Sequence, residues 1–473
     1  MGALGHGDQE AVDQEAVLHE RARMGHQDLM HHNHASRARA WGDPFRKHTT
    51  PRLAAGGQGK GPTDTLAPMD FAHSPRTKEL LERLIAFQER EVGPREEPYM
   101  RELLSRQDPW VVLPAIEELK TIAKQEGLWN LFLPDEEHGA GLSNVEYAPL
   151  AERMGRSLIT AEVCNCNAPD TGNMEVLWHF GSDEQKQRWL QPLLGGEIRS
   201  AFCMTEPEVA SSDATNMQAT VALDGDEVVV NGRKWWSTGV GHPNCEAIIF
   251  MGLTDPGADR YHQHSMVLVP MDSPGVKVER MLQAMGFLDA PGGHGEVSFT
   301  DVRLPEGAII GGAGQAFAIA QARLGPGRIH HCMRLIGLAE LALELGCRRA
   351  SERVAFGKPI ANLGGNRERI ADARIAIDQA RLHVLHAAWL LDEKAPEAIG
   401  AVSQIKVAVP NMAQGVVDMA MQLHGGAGLS NDVPLAGAWT AARALRLADG
   451  PDEVHRGVIA RLELAQYGKG KWS

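Results

Sequence analysis

Several protein classes are excluded by what this chain lacks. No run of about 18 apolar residues occurs in it, so no integral membrane segment is expected. Basic residues do not dominate: 47 Lys and Arg stand against 61 Asp and Glu, a formal net charge of -14. Nucleic-acid binding needs clustered Lys and Arg, so no nucleic-acid partner is expected. The six cysteines (Cys164, Cys166, Cys203, Cys245, Cys332, Cys347) form no Cys-x-x-Cys pair. Their spacing argues against a zinc ribbon or a disulfide framework and predicts reduced, buried thiols in a cytoplasmic protein. The Gly-x-Gly-x-x-Gly dinucleotide fingerprint is also missing. The run Gly311-Gly312-Ala313-Gly314 does not supply it, because no βαβ unit surrounds it.

Apolar periodicity is missing from residues 1–68, which are rich in Gly, Gln, His, Arg and Ala. This segment holds eight acidic and eight basic residues, so the rest of the chain carries the whole charge. Its first twenty residues contain five acids and no Lys or Arg, which is wrong for a mitochondrial presequence. A disordered extension is expected, with Met69 as an alternative start. The His31, His32 and His34 cluster is read as incidental rather than metal-binding, and no metal site is expected.

With 473 residues, about three domains are expected beyond that extension. Residues 69–198 read as helices, with Val111, Leu113, Ile116, Leu119 and Ile122 approximating one amphipathic face. Pro134 to Gly141 reads as a loop, and Ser182 to Gln185 as a capping box before a helix through Trp189 to Leu194. Residues 199–313 switch to a strand period. Glu227 to Val230 before Asn231-Gly232 predicts a hairpin, and Ser265–Pro270, Val276–Arg280 and Glu296–Phe299 predict further strands. Residues 314–473 return to helices: Arg334–Arg353, Glu368–Glu393, Pro396–Leu423, and shorter ones around Trp439 and Val458. The fold class is α+β, with an N-terminal helical domain, a middle β-barrel-like domain and a C-terminal helix bundle.

The most informative stretch is Phe202-Cys203-Met204-Thr205-Glu206-Pro207, running on to Ser211, Ser212 and Asp213, followed by Lys234-Trp235-Trp236-Ser237-Thr238. Without a ligand these residues read as a hairpin with buried tryptophans and a Thr-Glu-Pro turn. The pair of segments resembles the flavin-binding face of acyl-CoA dehydrogenases; the Asp-Gly-Pro-Asp-Glu-Val stretch at 449–454 resembles, within them, the long subgroup related to family members 10 and 11. The resemblance implies FAD as cofactor, contacted by Phe202, Met204, Thr205, Ser211, Trp236, Ser237 and Thr238. Small and polar residues let backbone N–H groups approach a ring edge, an indole covers a ring face by stacking, and the Thr238 hydroxyl faces the reactive flavin nitrogen.

The resemblance extends over residues 75–465. Arg353-Val354-Ala355-Phe356-Gly357 resembles the family's Arg-x-x-Phe-Gly segment, whose arginine meets the FAD pyrophosphate of a neighbouring subunit. This makes Arg353 and Phe356 cofactor residues and a homodimer or homotetramer the expected assembly. Gln422-Leu423-His424-Gly425-Gly426-Ala427-Gly428 resembles the turn that approaches the adenine half of FAD, through Gln422, Gly425 and Gly426. Read alone, it is a glycine helix stop.

The resemblance also implies a catalytic base: in this family a carboxylate removes a proton beside the thioester carbonyl, while a hydride passes from the next carbon to the flavin. The stretch Asp449-Gly450-Pro451-Asp452-Glu453-Val454-His455-Arg456 matches the segment that carries it, with Asp449 at the base position. Pro451 and Glu453 align with cofactor contacts. Some members place the base on an earlier helix, one residue before an arginine; here that residue is Gly327, before Arg328. Ser211, Gly327, Arg328 and Gly450 align with substrate-contacting positions. Asp-Gly-Pro also reads as a plain turn, with Asp452 capping the last helix. Hydrogen bonds to the thioester oxygen, including one from the Asp449 N–H, are expected to stabilise the enolate. Burial with bound substrate is expected to raise the carboxylate's pKa.

The expected activity is FAD-dependent α,β-dehydrogenation of an acyl-CoA to trans-2-enoyl-CoA, with electrons leaving through an electron-transfer flavoprotein. Two alternatives stay open: an oxidase of the same fold that uses oxygen, and a non-catalytic CoA- or flavin-binding helical protein.

Overall fold

The computed structural model describes residues 72–468. The disordered extension, the His31, His32, His34 cluster and the Met69 start lie outside the described residues.

The first helical region begins at α1 (Pro75–Phe87), where Ser74 accepts the Thr77 N–H and proline occupies the first turn. Helices α2 (Gly93–Ser105), α3 (Pro114–Gln125), α4 (Asn144–Met154) and α5 (Asp170–Phe180) follow. The Ser182 capping box forms as expected, Gln185 returning the bond, and opens a helical run through 183–195. Leu84, Phe87, Leu103, Leu119, Leu150 and Met154 bury the apolar faces in one core that continues into the C-terminal helices.

The middle region is a seven-stranded sheet of β1 (Arg199–Cys203), β2 (Thr220–Asp224), β3 (Glu227–Thr238), β4 (Cys245–Leu253), β5 (His264–Pro270), β6 (Val276–Leu282) and β7 (His294–Pro305). Its order is β1-β4-β2-β3-β7-β6, with β5 on β4, and β1 also pairs with β3. The cycle β1-β4-β2-β3 is thereby closed, which makes the sheet barrel-like. A second core of Val221, Val228, Val230, Phe250, Val267, Val297 and Phe299 fills it.

One expectation is corrected here. Asn231-Gly232 is not a hairpin turn: β3 runs straight through it, and the turn falls earlier, between Asp224 and Glu227. The pair forms a bulge, where the register against β7 slips between Val230 and Gly232. Gly232 has φ +146, and a Cβ there would lie 2.3 Å from the Ala219 Cβ. Asn231 crosses to the neighbouring strand: its amide donates to the Asp301 carboxylate, and its oxygen accepts the Asp301 N–H.

The C-terminal region contains α6 (Ala316–Glu352), a short pair β8 (Val354–Ala355) and β9 (Lys358–Pro359), α7 (Asn366–Asp392), α8 (Ala398–His424), α9 (Leu435–Ala444) and α10 (Asp452–Ala465). Helix α6 starts well before Arg334. It continues through Gly325-Pro326-Gly327, which local propensity alone would break, because α4, α5, α7 and α8 all pack along it. Asp452 does not cap α10 either. Pro451 holds that position, and the buried Asp452 carboxylate accepts from Asn411 and Arg446.

Candidate active site

The two halves of the 202–238 motif meet in the sheet. Phe202 of β1 pairs with Thr238 of β3, and the Trp235 N–H donates to the Thr205 carbonyl at 3.0 Å. A buried lysine anchors the loop that leaves β1. Lys234 Nζ donates to the Met204 carbonyl at 2.9 Å, the Glu206 carboxylate at 2.7 Å and the Met251 carbonyl at 2.7 Å. Burial lowers the Lys234 pKa, and Glu206 opposes that shift. Glu206 is itself fixed by the Gln218 and Ala219 N–H groups.

The β3 register slips again between Lys234 and Ser237, and Trp236 there has φ +50. Its indole stays 41% exposed on a strand whose neighbours Lys234 and Ser237 are fully buried. The Ser237 hydroxyl lies beside the Cys203 thiol, yet neither it nor Trp235 Nε1 has a hydrogen-bond partner of ordinary geometry. An open aromatic face beside orphaned polar atoms fits a planar, polar-edged ring cofactor. Thr238 Oγ1 is 2.9 Å from His294 Nδ1. The Ser211 hydroxyl accepts the Glu206 N–H at 2.9 Å and closes the turn.

Asp449 ends the turn between α9 and α10. It has φ +56 and is followed by Gly450 at φ +99. Left-handed backbone at a non-glycine residue carries strain and persists only where surrounding contacts enforce it. Here three helices supply those contacts. Arg328 Nε of α6 donates to the Asp449 carbonyl at 3.0 Å, and His455 Nε2 of α10 donates to the same oxygen at 3.2 Å. Lys406 of α8 donates to the Leu445 carbonyl at 2.6 Å and the Gly450 carbonyl at 3.4 Å. The Asp449 N–H donates to no group among the described residues.

The side chain faces one imidazole and three cationic side chains, Arg323, Arg328 and Lys406. His331 Nε2 is 3.5 Å from Asp449 Oδ2. Burial would raise the carboxyl pKa, but His331, Arg323, Lys406 and Arg328 outweigh it and hold Asp449 below the usual carboxylate value. Burial and neighbouring cations also keep His455 neutral, its pKa lowered to about 4. Gly327 lies on α6 one residue before Arg328, and a Cβ added there would have no neighbour within 4 Å.

Arg323 links the two sites. Its guanidinium stacks over the Phe202 ring, and its charge acts on Asp449. Other expected positions stand apart. Arg353 and Phe356 are exposed at and beyond the end of α6, Phe356 at 94%. Gln422, Gly425 and Gly426 are exposed at the end of α8, where Gly425 turns the chain at φ +64. Glu453 is exposed and 3.8 Å from Arg456. Among the described residues, no hydrogen bond or ion pair joins these positions to the 202–238 segment.

The motif reading missed Arg323, His331, Lys406 and His455. A signal existed for Lys406: it is the one Lys or Arg in the apolar run of α8, and a buried unpaired-looking charge marks a site.

Comparison with known proteins follows the same division of the chain. The family models for acyl-CoA dehydrogenase match residues 74–197 (N-terminal domain), 201–302 (middle domain) and 314–464 (C-terminal domain). Acyl-CoA dehydrogenase family member 10 of Mus musculus is 53% identical over 397 residues, covering 83% of this chain. The chain spans only 37% of that longer relative. FadE2 of Mycobacterium tuberculosis is 50% identical over 402 residues, covering 84% of this chain and 98% of its own. A Mycobacterium abscessus structure named for acyl-CoA dehydrogenase matches at TM-score 0.82 and 67% identity, covering 84% of this chain and 100% of that one.

Proposed function

Because the chain belongs to the acyl-CoA dehydrogenase family, we propose that it is an FAD-dependent oxidoreductase that removes two hydrogens from an acyl-CoA thioester to give the trans-2-enoyl product. The observation that carries this reading is the Asp449 turn: a carboxylate at φ +56, with its carbonyl held by Arg328 and His455.

Asp449 is the base and takes the α-proton. Its lowered pKa keeps it ionised at neutral pH and also makes it a weak base, so the barrier must be lowered on the substrate side. The Asp449 N–H, which donates to no group among the described residues, would donate to the thioester oxygen, and the surrounding cations favour the negative charge that develops there. Gly450 leaves the chain beside the base without a side chain, and Arg328 lines the same turn. FAD, when bound, accepts the hydride. Phe202, Met204, Thr205, Ser211, Trp236, Ser237 and Thr238 would hold its ring. Arg353, Phe356, Gln422, Gly425, Gly426, Pro451 and Glu453 would hold the rest, in part across a subunit interface.

The exposed Phe356, Val354 and Leu429 support a homo-oligomeric assembly of that kind. Electron delivery to an electron-transfer flavoprotein and a cytoplasmic site belong to the same proposal. No helix among the described residues is long and apolar enough to cross a membrane.

The test is anaerobic titration with a panel of acyl-CoAs. Asp449→Asn should keep bound flavin and lose its bleaching by substrate. Full bleaching by that variant would remove Asp449 as the base.

A further inference from the structure

His331 follows Arg328 by three positions on α6 and shares its face toward the Asp449 turn. Its two ring nitrogens have different neighbours. Nε2 is 3.5 Å from Asp449 Oδ2, and Nδ1 is 3.1 Å from an Arg334 guanidinium nitrogen. A guanidinium only donates, so Nδ1 must accept. A ring that accepts at Nδ1 is neutral and carries its proton on Nε2, on the side of the carboxylate. Arg334 is held in turn by the Cys166 carbonyl, at 3.3 Å from its other terminal nitrogen.

We propose that His331 is a positioning residue for Asp449: a neutral imidazole, fixed as the Nε2–H tautomer by Arg334, that fixes which carboxylate oxygen meets the substrate. The proposal rests on the reading of Asp449 as the base.

Aspartate needs this more than glutamate would. It is one methylene shorter, so a small rotation of its carboxylate changes its reach to the α-proton by a larger share of the available distance. At 3.5 Å the contact is longer than an ordinary hydrogen bond, so it orients the carboxylate electrostatically and leaves it ionised. The groups facing this pair are Arg323, Arg328 and Arg334 from α6, adjacent His330, Lys406 from α8, and His455 from α10. Burial and the Arg334 charge both disfavour an imidazolium, and the His331 pKa falls to about 3. The ring therefore stays neutral across the working pH range.

The experiment is the pH profile of single-turnover flavin reduction by an acyl-CoA, measured on the FAD-loaded protein. His331→Phe keeps a ring and removes the donor. Its reduction rate should fall on the order of 10- to 100-fold, with substrate affinity little changed. Its acidic limb should move up by about one pH unit, because Asp449 loses a favourable neighbour. His331→Gln, which restores an N–H donor, should recover part of both effects. Equal losses in the two variants with an unmoved acidic limb would reduce His331 to packing. A wild-type rate and profile in His331→Phe would overturn the proposal outright. If neither variant folds, 15N shifts of histidine-labelled wild-type protein decide: Nδ1 must read as unprotonated and Nε2 as protonated at neutral pH. The opposite tautomer, or an imidazolium, overturns the proposal. Loss of the base reading is distinguishable, since it requires Asp449→Asn to remain reducible by substrate whatever His331 does.

Discussion

The Arg323 guanidinium lies 4.0 Å above the centre of the Phe202 ring. The contact joins α6 to the first strand of the sheet, and so joins the helix that flanks the Asp449 turn to the segment that would hold the flavin. Arg323 is half-buried, with its Nε buried and unpartnered, and its pKa is lowered by burial against the pull of Asp449 and Glu175. Glu175 is buried, its pKa raised to about 8 by burial and only partly offset by Arg323. Removing the arginine leaves Glu175 neutral rather than as an unpaired charge.

Arg323→Leu should therefore fold. It should lose about 1–2 kcal/mol, the range of a desolvated cation–π contact, in urea unfolding of the apoprotein. FAD retention on gel filtration should weaken in parallel, because Phe202 loses its cover. Unchanged stability and unchanged FAD retention would show that the stack couples nothing.

Gly232 tests the bulge in β3. Alanine there would meet the Ala219 Cβ at 2.3 Å in a backbone with φ +146. Strain and overpacking of this kind cost about 2–4 kcal/mol together. Because β3 carries Trp236 to Thr238, Gly232→Ala should also release flavin more readily than a surface control of equal stability. Asn231→Ala removes only the pair with Asp301 and should cost less.

Gly327 tests how the base is placed. The open space at its Cβ position, on the face of α6 that carries Arg328 and His331, leaves room for a carboxylate. In an Asp449→Asn background, Gly327→Glu should restore a measurable part of substrate-dependent flavin bleaching. Replacing glycine inside a helix should also add about 0.5–1 kcal/mol of stability. A double variant as inert as Asp449→Asn would mean that the α6 face does not reach the reacting carbon.

Acid stability is set by buried neutral histidines. His330 packs edge-on against Tyr147 at 4.9 Å between ring centres, and burial with Arg334 and His331 lowers its pKa to about 3. In the unfolded chain its imidazole titrates near 6.5. The unfolded state thus binds the proton first, and stability falls as pH drops below about 6.5, continuing toward the folded value. His242 and His455, both lowered to about 4, act in the same direction. Asp449 adds a loss only at lower pH: its contribution is present above the ordinary carboxylate value and disappears as pH falls through its lowered one. His330→Phe should flatten the slope of stability between pH 6 and 4 by about 1.4 kcal/mol per pH unit, read from urea midpoints. Equal slopes in variant and wild type would assign the acid sensitivity elsewhere.

Much of this was legible in the chain. Strand alternation located β5 to β7, helical periodicity located α7 and α8, and the spacing of Phe202 to Thr238 paired two segments that do meet across the sheet. Asn231-Gly232 misled because the same two residues suit a tight turn and a bulge. Only the approach of Ala219 distinguishes them. The start of α6 falls well before the expected Arg334, across Gly325-Pro326-Gly327, because propensity is worth about 1–3 kcal/mol per residue, less than the packing along a 37-residue helix supplies.

The sequence by itself determined the helix–strand–helix order, the family and the carboxylate at 449, since these depend on local pattern and residue identity. The tertiary structure alone decided what surrounds that carboxylate. Arg328 and Asp449 are 121 residues apart, and Arg323, His331, Lys406 and His455 reach the same turn from three helices. Whether a carboxyl buried there rises or falls in pKa depends on how many cations folding brings within a few ångströms, and sequence spacing does not encode that distance.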